Sequence, residues 1–292
     1  MLFTGAGVAI VTPFKNDRTV DFDALRRIVN HCIDGKVDYI VVLGTTGESV
    51  TLSAGEKADA ARCVVDTAAG RVQVVIGIGG NDTAQVVDAV KHTNFGGISG
   101  LLSATPSYNK PAQAGLIEHY KAVASVSPVP VILYNVPGRT GVNMTAETTL
   151  TLAHEVHNIV AVKEASGMLA QMMRIIKDRP GNFSVISGDD TVSLPLMALG
   201  AQGVISVVAN AFPREVSTII RESLASNYAA AQATQYAMLD LLDALFAEGN
   251  PSGIKAALHV LGLSQNVLRL PLTPVSQKTY DQLESLIKKM KV

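Results

Sequence analysis

The chain lacks a basic stripe. Its 24 Lys and Arg residues are matched by 25 Asp and Glu, for a net charge of -1, and they collect on no single run. Phosphate backbones are bound by a concentrated excess of Lys and Arg on one face, so a nucleic-acid partner is excluded. Also missing is any apolar stretch long enough to span a bilayer, and the start Met1-Leu2-Phe3-Thr4-Gly5 carries no basic region of the kind that opens a signal peptide. The expectation is a cytoplasmic protein with no membrane partner. Cysteine is scarce. Cys32 and Cys63 fall inside helical patterns without metal or redox spacing, which reads as two buried, reduced thiols that carry no chemistry.

What is present is a globular composition, 48% hydrophobic and 17% charged over 292 residues, enough chain to bury a full core. One domain of this length is more typical of barrels than of other folds. Short apolar, β-branched runs recur roughly every 20 to 35 residues, each followed by a helical pattern, the alternation of βαβ units around a buried parallel sheet. The eight runs are 7–12, 39–43, 73–77, 100–103, 131–134, 159–163, 184–187 and 203–206. With no composition break between them, they predict an α/β fold closed as a (β/α)8 TIM barrel rather than a doubly wound sheet.

Capping signals agree with this reading: Ser53 with Glu56 three residues on forms a capping box, and Thr83 and Thr145 sit where caps are needed. After an eighth helix over 213–226, helical patterns continue through 228–246, 254–261 and 279–288, with breaks at 250–253 and 270–274. This is more helix than a minimal barrel requires. The predicted organisation is therefore a barrel over 1–226 and a C-terminal helical extension over 227–292, packed on the barrel or on a neighbouring subunit.

The active site of such a barrel lies where strands end and βα loops begin, so unusual polar residues at strand C-termini carry the argument. Lys163 ends the run Ile159-Val160-Ala161-Val162 and precedes Glu164-Ala165-Ser166-Gly167. A lysine there keeps its stem among barrel side chains while its amine enters the mouth, placed to attack a carbonyl. The bland alternative is a lysine that snorkels to solvent from a strand end. Tyr134 ends the run Val131-Ile132-Leu133 and opens a loop containing Arg139. A phenol beside an imine-forming lysine moves protons without adding a fixed charge, and an arginine close by clasps a carboxylate through two parallel hydrogen bonds. Tyrosine is otherwise an ordinary β-former, and Arg139 an ordinary loop charge. The third candidate is Gly44-Thr45-Thr46-Gly47-Glu48-Ser49, where flanking glycines let backbone N–H groups approach a small carboxylate. Standing alone, that motif is weak.

Other motifs fall away. The loop after the second strand fails as a phosphate loop, because no Gly-Lys-Ser/Thr follows, and Gly77-Ile78-Gly79-Gly80-Asn81 lacks dinucleotide spacing and an acidic partner. His154 and His157 stand near a helix end without further ligands and read as solvated surface. The sequons at Asn81 and Asn143 carry no meaning in a cytoplasmic protein. Nothing calls for a metal or an organic cofactor.

Lys163, Tyr134 and the Thr45-Thr46 loop, on those strands in that order, resemble the pyruvate-dependent class I aldolase family, also known as the N-acetylneuraminate lyase family. The resemblance covers essentially the whole chain. It includes Val11-Thr12-Pro13-Phe14, Thr105-Pro106-Ser107-Tyr108-Asn109-Lys110-Pro111, Lys163-Glu164-Ala165, Ser187-Gly188-Asp189-Asp190, Gly203-Val204-Ile205-Ser206 and Leu270-Pro271-Leu272-Thr273-Pro274. Several specific motifs in the right order reverse the bland reading of Lys163. Within the family, Arg139 and the Gly-Thr-Thr-Gly-Glu form of the loop resemble the branch that condenses pyruvate with L-aspartate 4-semialdehyde at the entry to diaminopimelate and lysine biosynthesis. Sialic acid lyases typically carry Gly-Ser-Thr-Gly-Glu.

The resemblance implies a mechanism. Lys163 attacks the C2 carbonyl of pyruvate, the imine loses a C3 proton to become an enamine, and that carbon attacks the aldehyde. Transimination by the substrate's own amine releases the ring and the enzyme. Tyr134, Thr45 and Tyr108 would form the proton relay, with Tyr108 reaching in from the adjoining subunit. Thr45 and Thr46 would hold the pyruvate carboxylate, Arg139 would orient the second substrate, and Gly188 and Ile205 would line the site through their backbone. A relay shared across an interface implies at least a dimer, and family members are commonly homotetramers built as dimers of dimers.

One region departs from the pattern. Lysine-inhibited members line an effector pocket with Ser, two His, Asn, Glu and Tyr, where this chain has Ser49, Ala54, Lys57, Asn81, Gln85 and Ser107. Loss of the carboxylate and of the aromatic wall predicts weak or absent feedback by lysine. Two rivals remain: a sibling aldolase acting on a sialic acid, a 2-keto-3-deoxy sugar acid or 4-hydroxy-2-oxoglutarate, and a non-catalytic barrel that binds an oxo acid.

Overall fold

The computed structural model describes residues 2–290. Eight strands alternate with helices: β1 (Gly5–Ala9), α1 (Phe22–Asp34), β2 (Tyr39–Val42), α2 (Ala54–Ala68), β3 (Gln73–Gly77), α3 (Thr83–His92), β4 (Gly100–Ala104), α4 (Gln113–Val126) and β5 (Val131–Asn135). The chain continues through α5 (Pro137–Thr140), α6 (Ala146–Glu155), β6 (Ile159–Glu164), α7 (Leu169–Asp178), β7 (Ser184–Ser187), α8 (Ser193–Ala198), β8 (Gly203–Ser206) and α9 (Pro213–Leu224). Neighbouring strands pair in parallel in sequence order, and β1 closes on β8 with Gly5 opposite Gly203 and Val8 opposite Ser206. The predicted closed barrel is the observed one.

Strand alternation divides the core in two. Ala9, Tyr39, Val41, Val75, Leu102, Ile132, Tyr134, Ala161, Ile186 and Ile205 fill the barrel interior. Their neighbours, such as Val8, Ile40, Val74, Leu101, Leu133, Val162 and Val185, point outward and pack under the helices. Both faces are therefore apolar, which is why these strands read as continuous hydrophobic runs rather than alternating ones. Helix α1 shows the matching stripe: it buries Ala24, Leu25, Ile28, Val29 and Cys32 and is capped by Asp21, whose side chain accepts from Ala24 N. Cys32 and Cys63 are both free and buried, and burial pushes the Cys32 thiol far above its ordinary range, so neither offers a ready thiolate.

Several boundaries differ from the sequence reading. The first strand was expected over 7–12 and runs Gly5–Ala9. Past Ile10, whose amide still reaches Val41 O, the next amide leaves the ladder: Val11 N donates to Asn210 Oδ1 at 3.0 Å. The capping box at Ser53 and Glu56 is formed, and Thr145 accepts from Thr148 N. Thr83 is not a cap. Asp82 takes that role through Ala84 N, leaving the Thr83 hydroxyl to pair with His119 Nδ1 at 2.9 Å.

Four helices follow the barrel: α10 (Tyr228–Ala237), α11 (Leu239–Phe246), α12 (Ser252–Val260) and α13 (Gln277–Met290). The expected single helix over 228–246 is broken at Met238, whose amide turns tightly onto Gln235 O. The expected break at 250–253 ends sooner, because α12 already begins at Ser252. Gly253 lies so close to α11 that a Cβ there would sit 2.0 Å from Leu245 O, so only glycine permits that contact. Helix α13 buries Leu283 and Ile287 and packs on α11 and α12. Among the described residues no helix is long and apolar enough to cross a membrane.

A charged clamp ties this C-terminal segment back to the barrel. Glu48, which follows the Thr45–Gly47 turn, forms a fully buried ion pair with Lys255 of α12. Burial pulls the Lys255 ammonium down to about 8, with Glu48 opposing that fall. Beside it, Arg269 pairs with Glu56 at the start of α2 and also donates to Thr51 O and Arg18 O. Hydrogen bonds from Arg269 hold the Glu56 carboxyl at about 2, against an ordinary value of 4.5. Because the folded value is the lower one, this contribution is complete above pH 4.5 and is lost as pH falls toward about 2. The difference in Tm between the parent and Glu56→Gln, present at neutral pH, is therefore expected to close across that acid window. A difference that stays constant down to the bottom of that window would contradict the assignment.

Candidate active site

At the C-terminal mouth of the barrel the alternation that orders the core places a polar pair. Ile132 and Tyr134 of β5 face inward, as do Ala161 and Lys163 of β6, and register sets Tyr134 directly beside Lys163. The lysine is 5% exposed, and its Nζ lies 4.4 Å from the centroid of the Tyr134 ring. Its stem is thus removed from water while its amine opens on a cavity of about 680 Å³. Lys163 does not snorkel. Gly188, just past β7, makes room for it: a Cβ there would stand 2.7 Å from Ala165 Cβ and 3.0 Å from Lys163 Cε.

The residue after each member of the pair turns the other way. Glu164 and Asn135 point outward, are both fully buried, and meet through Asn135 Nδ2, which donates to Glu164 Oε1 at 3.1 Å. Gln171 Nε2 and Ser166 N also donate to this carboxylate, at 3.0 and 2.9 Å. Burial raises the Glu164 carboxyl above its ordinary value, against those hydrogen bonds. The effect is to lock the ends of β5 and β6 together on the face opposite Lys163 and Tyr134. Similarly Asp190, buried beyond Gly188, accepts from Val207 N at 2.9 Å and joins the ends of β7 and β8.

Thr45 and Thr46 lie in a single tight turn, Thr45–Gly47, entered through the extended Gly44 and ended by Glu48 at φ 50; Leu43, just before Gly44, is also left-handed at φ 60. Such conformations cost about 1–3 kcal/mol each for residues other than glycine and persist only where surroundings enforce them. Here Thr12 Oγ1 donates to Gly47 O at 2.7 Å, and Asn250 Nδ2 donates to Thr46 Oγ1 at 3.0 Å. Arg139, on the short α5, is exposed and donates to Asn250 O at 3.3 Å. Lys163, Tyr134, Thr45, Thr46, Arg139 and Gly188 all line the same cavity.

Two expected residues stand elsewhere. Ile205 is buried in the barrel interior, opposite Gly7 of β1, and does not line the cavity. Tyr108 lies in the β4–α4 loop at φ 70, is 90% exposed and does not line the cavity; its amide donates to Thr140 O of α5 at 3.3 Å. The cavity also has walls that sequence reasoning missed. Leu242, Asp243 and Phe246 of α11, together with Asn250, close one side of it. The extension is therefore part of the site. The one local signal for it in the sequence is the Asn250-Pro251 break. Among the described residues no group of three or more His, Cys, Asp or Glu is placed to hold a metal ion.

A parallel barrel with an amine-bearing cavity at its carboxyl mouth defines the class of protein. A family model described as the dihydrodipicolinate synthetase family matches residues 2–290, and the chain belongs to that family. The 4-hydroxy-tetrahydrodipicolinate synthase of Parabacteroides distasonis is 49% identical over 288 residues, covering 99% of this chain and 97% of that one. The crystal structure of dihydrodipicolinate synthase from Aquifex aeolicus superposes with a TM-score of 0.96 at 42% identity, covering 99% of this chain and 98% of that one. The enzyme from Cyanidioschyzon merolae, crystallised with lysine bound, superposes with a TM-score of 0.94 at 40% identity, covering 98% and 97%.

Gly188 offers a direct check on the packing around Lys163. Gly188→Ala inserts a methyl group between Ala165 and the Lys163 stem, and overpacking of this kind is expected to cost about 1–3 kcal/mol in urea unfolding. An unchanged midpoint would mean that the stem is not confined as described.

Proposed function

We propose that the chain condenses pyruvate with L-aspartate 4-semialdehyde to give 4-hydroxy-tetrahydrodipicolinate, the reaction named for its relatives at 43–49% identity. The observation that carries this reading is the placement of the Lys163 amine over the Tyr134 ring, inside a cavity that also presents Thr45, Thr46 and Arg139. Lys163 adds to the C2 carbonyl of pyruvate, water leaves, and loss of a C3 proton from the imine gives the enamine nucleophile. The hydroxyls and amides of Thr45 and Thr46 hold the pyruvate carboxylate. Tyr134 and Thr45 pass the protons that these steps move. Arg139 takes the carboxylate of the semialdehyde, whose aldehyde carbon receives the enamine. The substrate's own amine then displaces Lys163 and closes the ring.

In the same reading, residues 1–226 are the catalytic barrel and 227–292 an extension that completes its wall. Tyr108 serves the site of an adjoining subunit. Its 90% exposure on a loop tied to α5 supports that role, since a large aromatic so placed has no partner within this chain's core. The working unit is then at least a dimer, with a homotetramer expected, acting in the cytoplasm without metal or organic cofactor. Gly188 serves as the space that admits the Lys163 stem. Ile205 contributes as packing beneath the site.

Assays with pyruvate and L-aspartate 4-semialdehyde are expected to give kcat/KM values at least about a hundred-fold above those for N-acetylneuraminate, a 2-keto-3-deoxy sugar acid or 4-hydroxy-2-oxoglutarate. Arg139→Ala should raise KM for the semialdehyde by about ten-fold or more while sparing KM for pyruvate. A preference for one of the sugar acids would replace this reading with a sibling aldolase.

Lysine is expected to inhibit weakly or not at all. Of the positions that resemble an effector pocket, Asn81 Oδ1 already accepts from Ser107 Oγ at 2.8 Å, and Gln85 is turned onto Asp82 at 3.0 Å. Neither offers a carboxylate to an ammonium group. Strong inhibition by sub-millimolar lysine in the same assay would contradict this.

A further inference from the structure

The Lys255–Glu48 pair lies outside the cavity, and its chemistry is not used by the reaction. Both side chains are fully buried. Replacing a buried ion pair by apolar side chains of like volume is often neutral or stabilising, so stability alone does not account for two charges here. Their geometry does more. Glu48 is the left-handed residue that ends the Thr45–Gly47 turn. One of its carboxylate oxygens faces Lys255 Nζ, and the other accepts from Arg269 N at 3.1 Å. Lys255 in turn donates to Val267 O at 3.0 Å and lies 4.0 Å from the centroid of the Phe14 ring, whose face Arg269 also covers. Just ahead of α12, Asn250 donates to Thr46 Oγ1. The start of α12 thus docks on the threonine turn at two points, one neutral and one charged.

We propose that Lys255 and Glu48 are positioning residues that set the Thr45–Thr46 turn for the carboxylate of an α-keto acid. This rests on the reading that the turn holds that carboxylate. The pair fixes the left-handed Glu48 and, with it, the direction of the preceding hydroxyls and amides. Displacing them by a fraction of an ångström weakens pyruvate binding first, because Arg139 meets the turn only indirectly, through Asn250.

The test uses steady-state kinetics on the full-length enzyme. Glu48→Gln keeps the shape and removes the charge. It is expected to raise KM for pyruvate by about ten-fold and KM for the semialdehyde by clearly less. A merely structural role would instead lower Tm and the fraction of active enzyme and leave both KM values alone. Should Glu48→Gln fail to fold, the paired variant Glu48→Gln with Lys255→Met, which leaves no buried charge unpaired, takes its place with the same expectation. A folded variant of either kind with the parental pyruvate KM overturns the proposal. A parent enzyme that does not turn over pyruvate at all sinks the functional reading, and this inference with it.

Discussion

A parallel strand buried on both faces has room for a charge only near its ends, and β6 places two in succession at its carboxyl end. Alternation sends Lys163 into the barrel mouth and Glu164 into the layer beneath the helices. Each then has to be matched. Lys163 lies on the face of Tyr134, its neighbour across the β5–β6 ladder, while Glu164 takes hydrogen bonds from Asn135, Gln171 and the Ser166 amide. The two arrangements share one register, in which Tyr134 faces Lys163 and Asn135 faces Glu164. A slip of one residue would turn the amine into the helical layer and the carboxylate into the mouth. The amine's position is therefore a property of the ladder and of the buried polar bonds behind it, more than of any contact within the cavity itself.

The C-terminal helices belong to the same economy of space. Parallel barrels of this kind leave their mouths open, and here α11 and Asn250 supply the missing side. Besides the apolar packing of Leu242, Leu245, Ile254 and Leu258 in the core shared with the barrel, three polar contacts attach that wall: Arg269 with Glu56, Lys255 with Glu48, and Asn250 with Thr46. Polar docking costs desolvation, but it is directional, and direction is what a turn that ends on the left-handed Glu48 requires. The same bonds that hold the extension down also hold the threonine turn in place.

How much of this was readable from sequence depends on the range of the interaction concerned. The eight strands were legible because burial on both faces makes each an unbroken apolar run, and Lys163, Tyr134, Thr45, Thr46 and Arg139 were legible as polar residues at strand ends or in the loops that follow, whereas Gly188 came from the family resemblance alone. The first strand was misplaced because Val11 remains apolar after its amide has left the ladder for Asn210, a partner distant in sequence. Thr83 looked like a cap because nothing local reveals that its hydroxyl is engaged by His119. Lys255 carries no local signal either: in Ile254-Lys255-Ala256-Ala257-Leu258 it resembles an exposed lysine on a helix, and only the fold brings it to Glu48.

The chemistry attributed to Lys163 is open to a direct measurement. Reduction with borohydride in the presence of pyruvate, followed by peptide mass mapping, should place a single reduced adduct on the peptide that carries Lys163, and Lys163→Ala should show neither adduct nor activity. An adduct on another lysine, or an unmodified Lys163 with activity retained in Lys163→Ala, would contradict the Schiff base.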